Sequence, residues 1–338
     1  MPLASFLSAG RFMWQIVSLC LLAGACPSNT GEPVADKAAG ERWAVILVGL
    51  PGDDEHETIF RETADAWQKW LTETLDFPSE HVLRLPAAPA AKDRAPDKMT
   101  ALAIRTQIAG LSKTLQPDDT LWVFTLGHGN HDGKQAWFHV AGRDPSNADF
   151  GRWLDEIKCR EQVLWLTHSC SGWFLKPLSK PGRIVIAATA ADDEVNETEF
   201  PYALASVVAR PADQLDEDQD GTVSIAELFT AVVAEVTSRF TSDKRVPTEH
   251  AQVDDNGDGR GSESLVQKKE ATDAEVNPAA EQPTTPAPAP APVDGDLARK
   301  TAIPLREPLK RSIDCAPVRE PVPPGPGVQR AKNLPPSK

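Results

Sequence analysis

His128 and Cys170 stand in the two places of this chain best suited to covalent chemistry. Each closely follows an apolar run: Leu121-Trp122-Val123-Phe124-Thr125-Leu126 ends in Gly127-His128-Gly129, and Gln162-Val163-Leu164-Trp165-Leu166-Thr167 ends in His168-Ser169-Cys170-Ser171-Gly172. A thiol is nucleophilic as its thiolate, and an imidazole within reach can take its proton and later protonate a leaving amine. Such a pair would cleave an amide through an acyl-enzyme on Cys170, with His128 as base and then acid. Gly129 has no Cβ to hold a substrate carbonyl away, so its N–H and that of Cys170 could together stabilise an oxyanion.

Other readings of the same residues are weaker. A zinc site would draw on His128, His131, His139 and Cys170, but His128-x-x-His131 lacks the helical setting and the glutamate of metal-hydrolase motifs. No Gly-x-Ser-x-Gly elbow is present for a serine hydrolase, and no glycine-rich or Walker loop for a nucleotide. His168 is a second imidazole near Cys170, and strand alternation leaves it a positioning role at most.

The elements around these residues alternate. Trp43 to Leu50 is a continuous apolar run closed by Pro51-Gly52, as in a strand buried on both faces of a parallel sheet. Apolar residues recur at helical spacing from Thr58 to Leu75, followed by a short strand at His81 to Leu85 and an amphipathic stretch from Met99 to Leu115. A short helix is expected around Trp153 to Ile157, and another strand at Ile184 to Ala188. This rhythm predicts a layered α/β domain with a mainly parallel sheet. His128 and Cys170 then lie beyond the carboxyl ends of two strands, where open α/β sheets bind ligands. Neighbouring strands would bring them within about 5 Å in the sheet plane.

An apolar strand ending in His-Gly, with a second strand ending in Ser-Cys-x-Gly about forty residues later, resembles the caspase and legumain group of cysteine peptidases. The resemblance covers roughly Trp43 to Ser264. It implies a caspase-like layered αβα fold for residues 43–265, with His128 as general base and acid, Cys170 as nucleophile and Gly129 at the oxyanion. This chain has His168-Ser169 where caspases carry Gln-Ala, and its Ser171-Gly172 is one step closer to the cysteine than the Ser-Gly of legumains. No specificity-pocket residue maps from either subgroup. A catalytically silent caspase-like domain that binds calcium and a protein partner is the alternative.

Residues 216–227, Asp-Glu-Asp-Gln-Asp-Gly-Thr-Val-Ser-Ile-Ala-Glu, match the twelve-residue EF-hand pattern at its diagnostic positions. Asp216, Asp218 and Asp220, the Thr222 carbonyl, Ser224 and a bidentate Glu227 would supply hard oxygens to Ca²⁺, and Gly221 the sharp turn. Pro211 breaks the entering helix, so a paired regulatory EF-hand is not expected. A second run begins similarly at Asp254, Asn256 and Asp258, but its twelfth position is Leu265, which reads as a glycine-rich surface turn unless Glu263 substitutes. Calcium is expected to support the fold, with no organic cofactor.

At the N-terminus, Arg11 precedes an apolar run from Phe12 to Leu22 and then Ala23-Gly24-Ala25, an export signal over residues 1–25. Cys26 at the next position also resembles a lipid-attachment site, the one route to a membrane. Residues 26–42 read as a linker. Residues 266–338 hold half of the chain's 30 prolines and read as a disordered tail, with Pro286 to Pro292 as an extended spacer and Cys315 a solvated thiol. The tail is slightly basic, so the net charge of −14 falls on the domain between. That acidity argues against nucleic acid as a partner and leaves a peptide or protein substrate.

Overall fold

The computed structural model describes residues 40–86, 98–265 and 294–304. The export signal, the Cys26 site, most of the linker, the proline spacer and Cys315 lie outside the described residues.

The chain is mixed α/β. The strands are β1 (Arg42–Val48), β2 (Val82–Leu85), β3 (Thr120–Leu126), β4 (Gly129–His131), β5 (Ala136–Phe138), β6 (Glu161–Leu166), β7 (Arg183–Ala187), β8 (Thr222–Ser224), β9 (Gln252–Asp254) and β10 (Ala302–Pro304). The helices are α1 (Asp54–Lys69), α2 (Ala101–Thr114), α3 (Asn147–Asp155), α4 (Gly172–Leu178), α5 (Phe200–Val208), α6 (Ile225–Ser242) and α7 (Asp296–Lys300). A wide π-helical turn, Trp70–Thr74, continues α1 to the end of the expected helical stretch. Six strands form the central sheet in the order β2-β1-β3-β6-β7-β9. The first five are parallel, and only β9 runs antiparallel.

Side-chain alternation explains the layering. Ile46, Phe124, Trp165 and Ile186 face α1, α5 and α6 on one side; Val45, Val123, Leu164 and Val185 face α2, α3 and α4 on the other. Both faces are covered, so the strands read as unbroken apolar runs rather than alternating ones. Among the described residues no helix is long and apolar enough to cross a membrane.

Three features depart from expectation. A hairpin, β4 with β5, follows His128 directly. The 254–259 turn reaches the surface at Asp258 but is anchored at its start, where Asp254 and Asp255 are buried. Residues 294–304, placed within the disordered tail by composition, fold as α7 and β10 because Ala298 and Ile303 reach the main core.

Candidate active site

β3 and β6 are adjacent in the sheet, with Thr125 beside Leu166. Their carboxyl ends are fastened by a buried polar network. The Thr167 hydroxyl donates to the Thr125 carbonyl at 2.6 Å, the Thr198 hydroxyl donates to the Thr167 carbonyl, and Thr125 Oγ1 lies 2.7 Å from His168 Nδ1. His168 is fully buried against Phe138 and Phe174, and burial, with smaller contributions from His139 and His128, pushes its imidazole down to about 3. It is therefore neutral, and its Nδ1 is engaged by Thr125 within this network.

On this frame the chain makes two tight turns. Cys170 adopts φ +60°, a left-handed conformation that costs a non-glycine residue roughly 1–2 kcal/mol and recurs at functional sites. Its Sγ lies 3.7 Å from the carbonyl oxygen of Gly129, the residue after His128. His128 Nε2 lies 3.4 Å from the Pro51 carbonyl at the end of β1, and its ring packs against Phe60 and His56 of α1. A carbonyl only accepts, so Nε2 is the donor at this contact, and Nδ1 is the ring nitrogen that lies outside it. Loops after β1, β3 and β6 thus meet at one sheet edge. Pro51 acts through its backbone, which no side-chain pattern in the sequence signals.

Gly129 packs against the Cys170 turn. A Cβ there would sit 2.6 Å from the Ser169 carbonyl and 2.8 Å from that of Trp137, so glycine is required by close approach. Gly129→Ala is expected to destabilise the chain by about 1–3 kcal/mol through overpacking, read from urea midpoints, and to separate the two turns.

The other proposed oxyanion donor is engaged: the Cys170 N–H donates to the Glu194 carbonyl at 3.2 Å. Glu194 belongs to the loop after β7, which closes over Cys170. Its carboxylate accepts from the Ala190 and His250 N–H groups and pairs with the His250 imidazole, while the Asp192 carbonyl accepts from Trp173 Nε1. Cys170 is fully buried, and burial pushes its thiol up to about 11. A thiol lowered by His128 is not what the resting chain holds. Both Cys170 and the half-buried Cys159 are free.

The segment before β9 supplies a pH-dependent cap to the end of this loop. Glu249 is 5% exposed and accepts the Glu199 N–H at the start of α5. Burial above all, with Glu199 and Glu194 nearby, raises its carboxyl to about 8 from 4.5. The folded chain holds this proton more tightly than the unfolded one. Its stabilising contribution is complete below pH 4.5 and is lost as the pH rises to about 8. The slope is about 1.4 kcal/mol per pH unit at its steepest. Glu249→Gln is expected to remove that slope, measured as urea midpoints at pH 5.5 and pH 8.

The zinc alternative finds no support in the geometry: His131 stacks on Trp173 at 4.7 Å, and among the described residues the one metal-ligating group of three or more is elsewhere. That group is Asp216, Asp218 and Glu227, whose carboxylate oxygens lie within 4.8 Å of one another. Gln219 and Gly221 have positive φ, so the loop folds back as its motif requires. Asp220 instead accepts from the Thr222 N–H and hydroxyl, and Ser224 forms a capping box with Glu227 at the start of α6.

Asp254 accepts from the Gly257 and Gly259 N–H groups, and Asp255 from those of Gly295 and Ala298. Leu265 is buried, so the twelfth position of this run is an apolar contact.

No family model and no curated protein matches this chain. Its function rests on the site itself.

Proposed function

We propose that this protein is an exported cysteine endopeptidase that hydrolyses peptide bonds through a Cys170 acyl-enzyme, with His128 as general base and acid and calcium held by the 216–227 loop. The observation that carries the reading is the convergence at one sheet edge: a strained Cys170 whose Sγ touches the Gly129 carbonyl, and a neighbouring His128 whose Nε2 is turned onto the Pro51 carbonyl. The resemblance to caspases and legumains agrees with a sheet in which β3 and β6 are adjacent and only the last strand is antiparallel.

In this reading the described state is closed: Cys170 Sγ rests on the Gly129 carbonyl rather than on His128, and displacement of the loop at Glu194 exposes Cys170, frees its N–H and lets the imidazole reach the sulfur. His128 Nδ1 then takes the thiol proton as sulfur attacks the substrate carbonyl, and returns it to the leaving amine. Water, deprotonated by the same nitrogen, releases the acyl group. The freed Cys170 N–H would stand beside the developing oxyanion.

The donor chemistry at Asp216, Asp218 and Glu227 fits a hard cation, and bound Ca²⁺ would offset most of the charge of the three converging carboxylates. Calcium bound by the folded chain alone stabilises it by mass action. Glu227→Gln is expected to weaken calcium binding at least about tenfold, measured calorimetrically, and to lower the unfolding midpoint in millimolar calcium.

One observation favours the silent binding domain: the fully buried thiol, raised to about 11. Alkylation separates the two. In the silent domain Cys170 stays inert under every condition that keeps the chain folded, whereas the peptidase exposes it when peptide binds.

A further inference from the structure

We propose that residues 294–304 are the second half of the calcium loop, an intramolecular strap whose docking and calcium binding reinforce each other. This rests on the calcium reading above. β8 is only Thr222–Ser224 and carries two of that loop's candidate ligand positions. Among the described residues its one strand partner is β10, in antiparallel register with Ala302 beside Ser224, Ile303 beside Val223 and Pro304 beside Thr222. The Ile225 N–H, at the first residue of α6, donates to the Thr301 carbonyl at 2.9 Å.

The strap is held along its whole length. Asp255 receives the Gly295 and Ala298 N–H groups, Asp294 receives the Ser262 hydroxyl and the Asp255 N–H, and the Thr301 hydroxyl donates to Glu161. Ile303 and Ala298 enter the core cluster that contains Val223, Ile225 and Phe229. A three-residue strand without a partner has little to fix its backbone. With β10 in place, Thr222 and Ser224 are already extended when the cation arrives, so the ordering cost of the loop is largely met. Linkage requires the converse: calcium at Asp216, Asp218 and Glu227 tightens the strap.

The test uses the full chain. Hydrogen exchange with and without calcium is expected to show slower exchange at 222–227 and, in step, at 294–304. Ile303→Glu, which puts a charge into the core contact, is expected to weaken calcium binding about tenfold in calorimetry. Calcium that protects 222–227 while 294–304 exchanges unchanged, or an Ile303→Glu affinity within twofold of the parent, overturns the strap and leaves the calcium reading standing. Absence of any calcium heat or protection in the parent overturns both. Should Ile303→Glu fail to fold, the exchange data on the unaltered chain decide alone.

Discussion

Cys170→Ala and His128→Ala are each expected to lower kcat/KM for peptide cleavage by about a thousandfold or more, and the double variant by no more than the worse single one. Nucleophile and base act as one unit, so removing either forfeits the whole of the covalent route. His128 packs on Phe60 of the main core, so His128→Ala is expected to lower the urea midpoint as well as activity. Cys170 lies outside both core clusters and Cys170→Ala removes one buried sulfur, so its midpoint should move less. A role confined to structure would give the opposite pattern, with stability lost and any cleavage retained. Separate measurement of kcat/KM and of urea midpoints in the three variants distinguishes the two.

Glu194→Ala is expected to raise the rate of iodoacetamide labelling at Cys170 at pH 8 by tenfold or more. In the resting chain two barriers act together: Cys170 is fully buried, and a thiol near 11 leaves only about one molecule in a thousand as thiolate at that pH. Glu194 sustains both. Its carboxylate ties Ala190 of the covering loop to His250 on the segment before β9, and its carbonyl holds the Cys170 N–H. Truncation leaves Ala190 and His250 with no shared partner, so the loop loosens, water reaches the sulfur and desolvation is relieved. Peptide mapping separates Cys170 from Cys159, whose rate should not change. Equal labelling of Cys170 in parent and variant would show that this loop is not what closes the site.

The strands were legible because burial on both faces writes them as apolar runs. Leu121–Leu126 and Gln162–Thr167 both appear as strands within a residue or two of the residues expected. The positions of His128 and Cys170 at strand ends followed directly. What the sequence could not convey was the state of the site. Burial of Cys170 depends on Glu194, a residue on another loop, and the fate of its N–H depends on a backbone carbonyl that no residue type announces. His56 and Phe60 reach His128 from α1 through tertiary packing alone.

The 216–227 loop was legible as a pattern, and its side chains follow that pattern only in part. Asp216, Asp218 and Glu227 converge, whereas Asp220 is drawn to its own turn by Thr222. The strap was hidden by its surroundings. Between proline-rich flanks, the two apolar residues that matter, Ala298 and Ile303, carry no periodicity, and their value comes from a core built by distant segments. Composition read over the whole tail averaged them away.

The central claim is tested most directly by incubating the calcium-loaded full chain with a mixed peptide library and sequencing the new termini by mass spectrometry. The account predicts cleavage at a restricted set of sites, with an acyl adduct on Cys170 caught by acid quench and no new termini from Cys170→Ala. A folded, calcium-loaded chain that yields no new termini, or whose Cys170→Ala variant cleaves as the parent does, would contradict it.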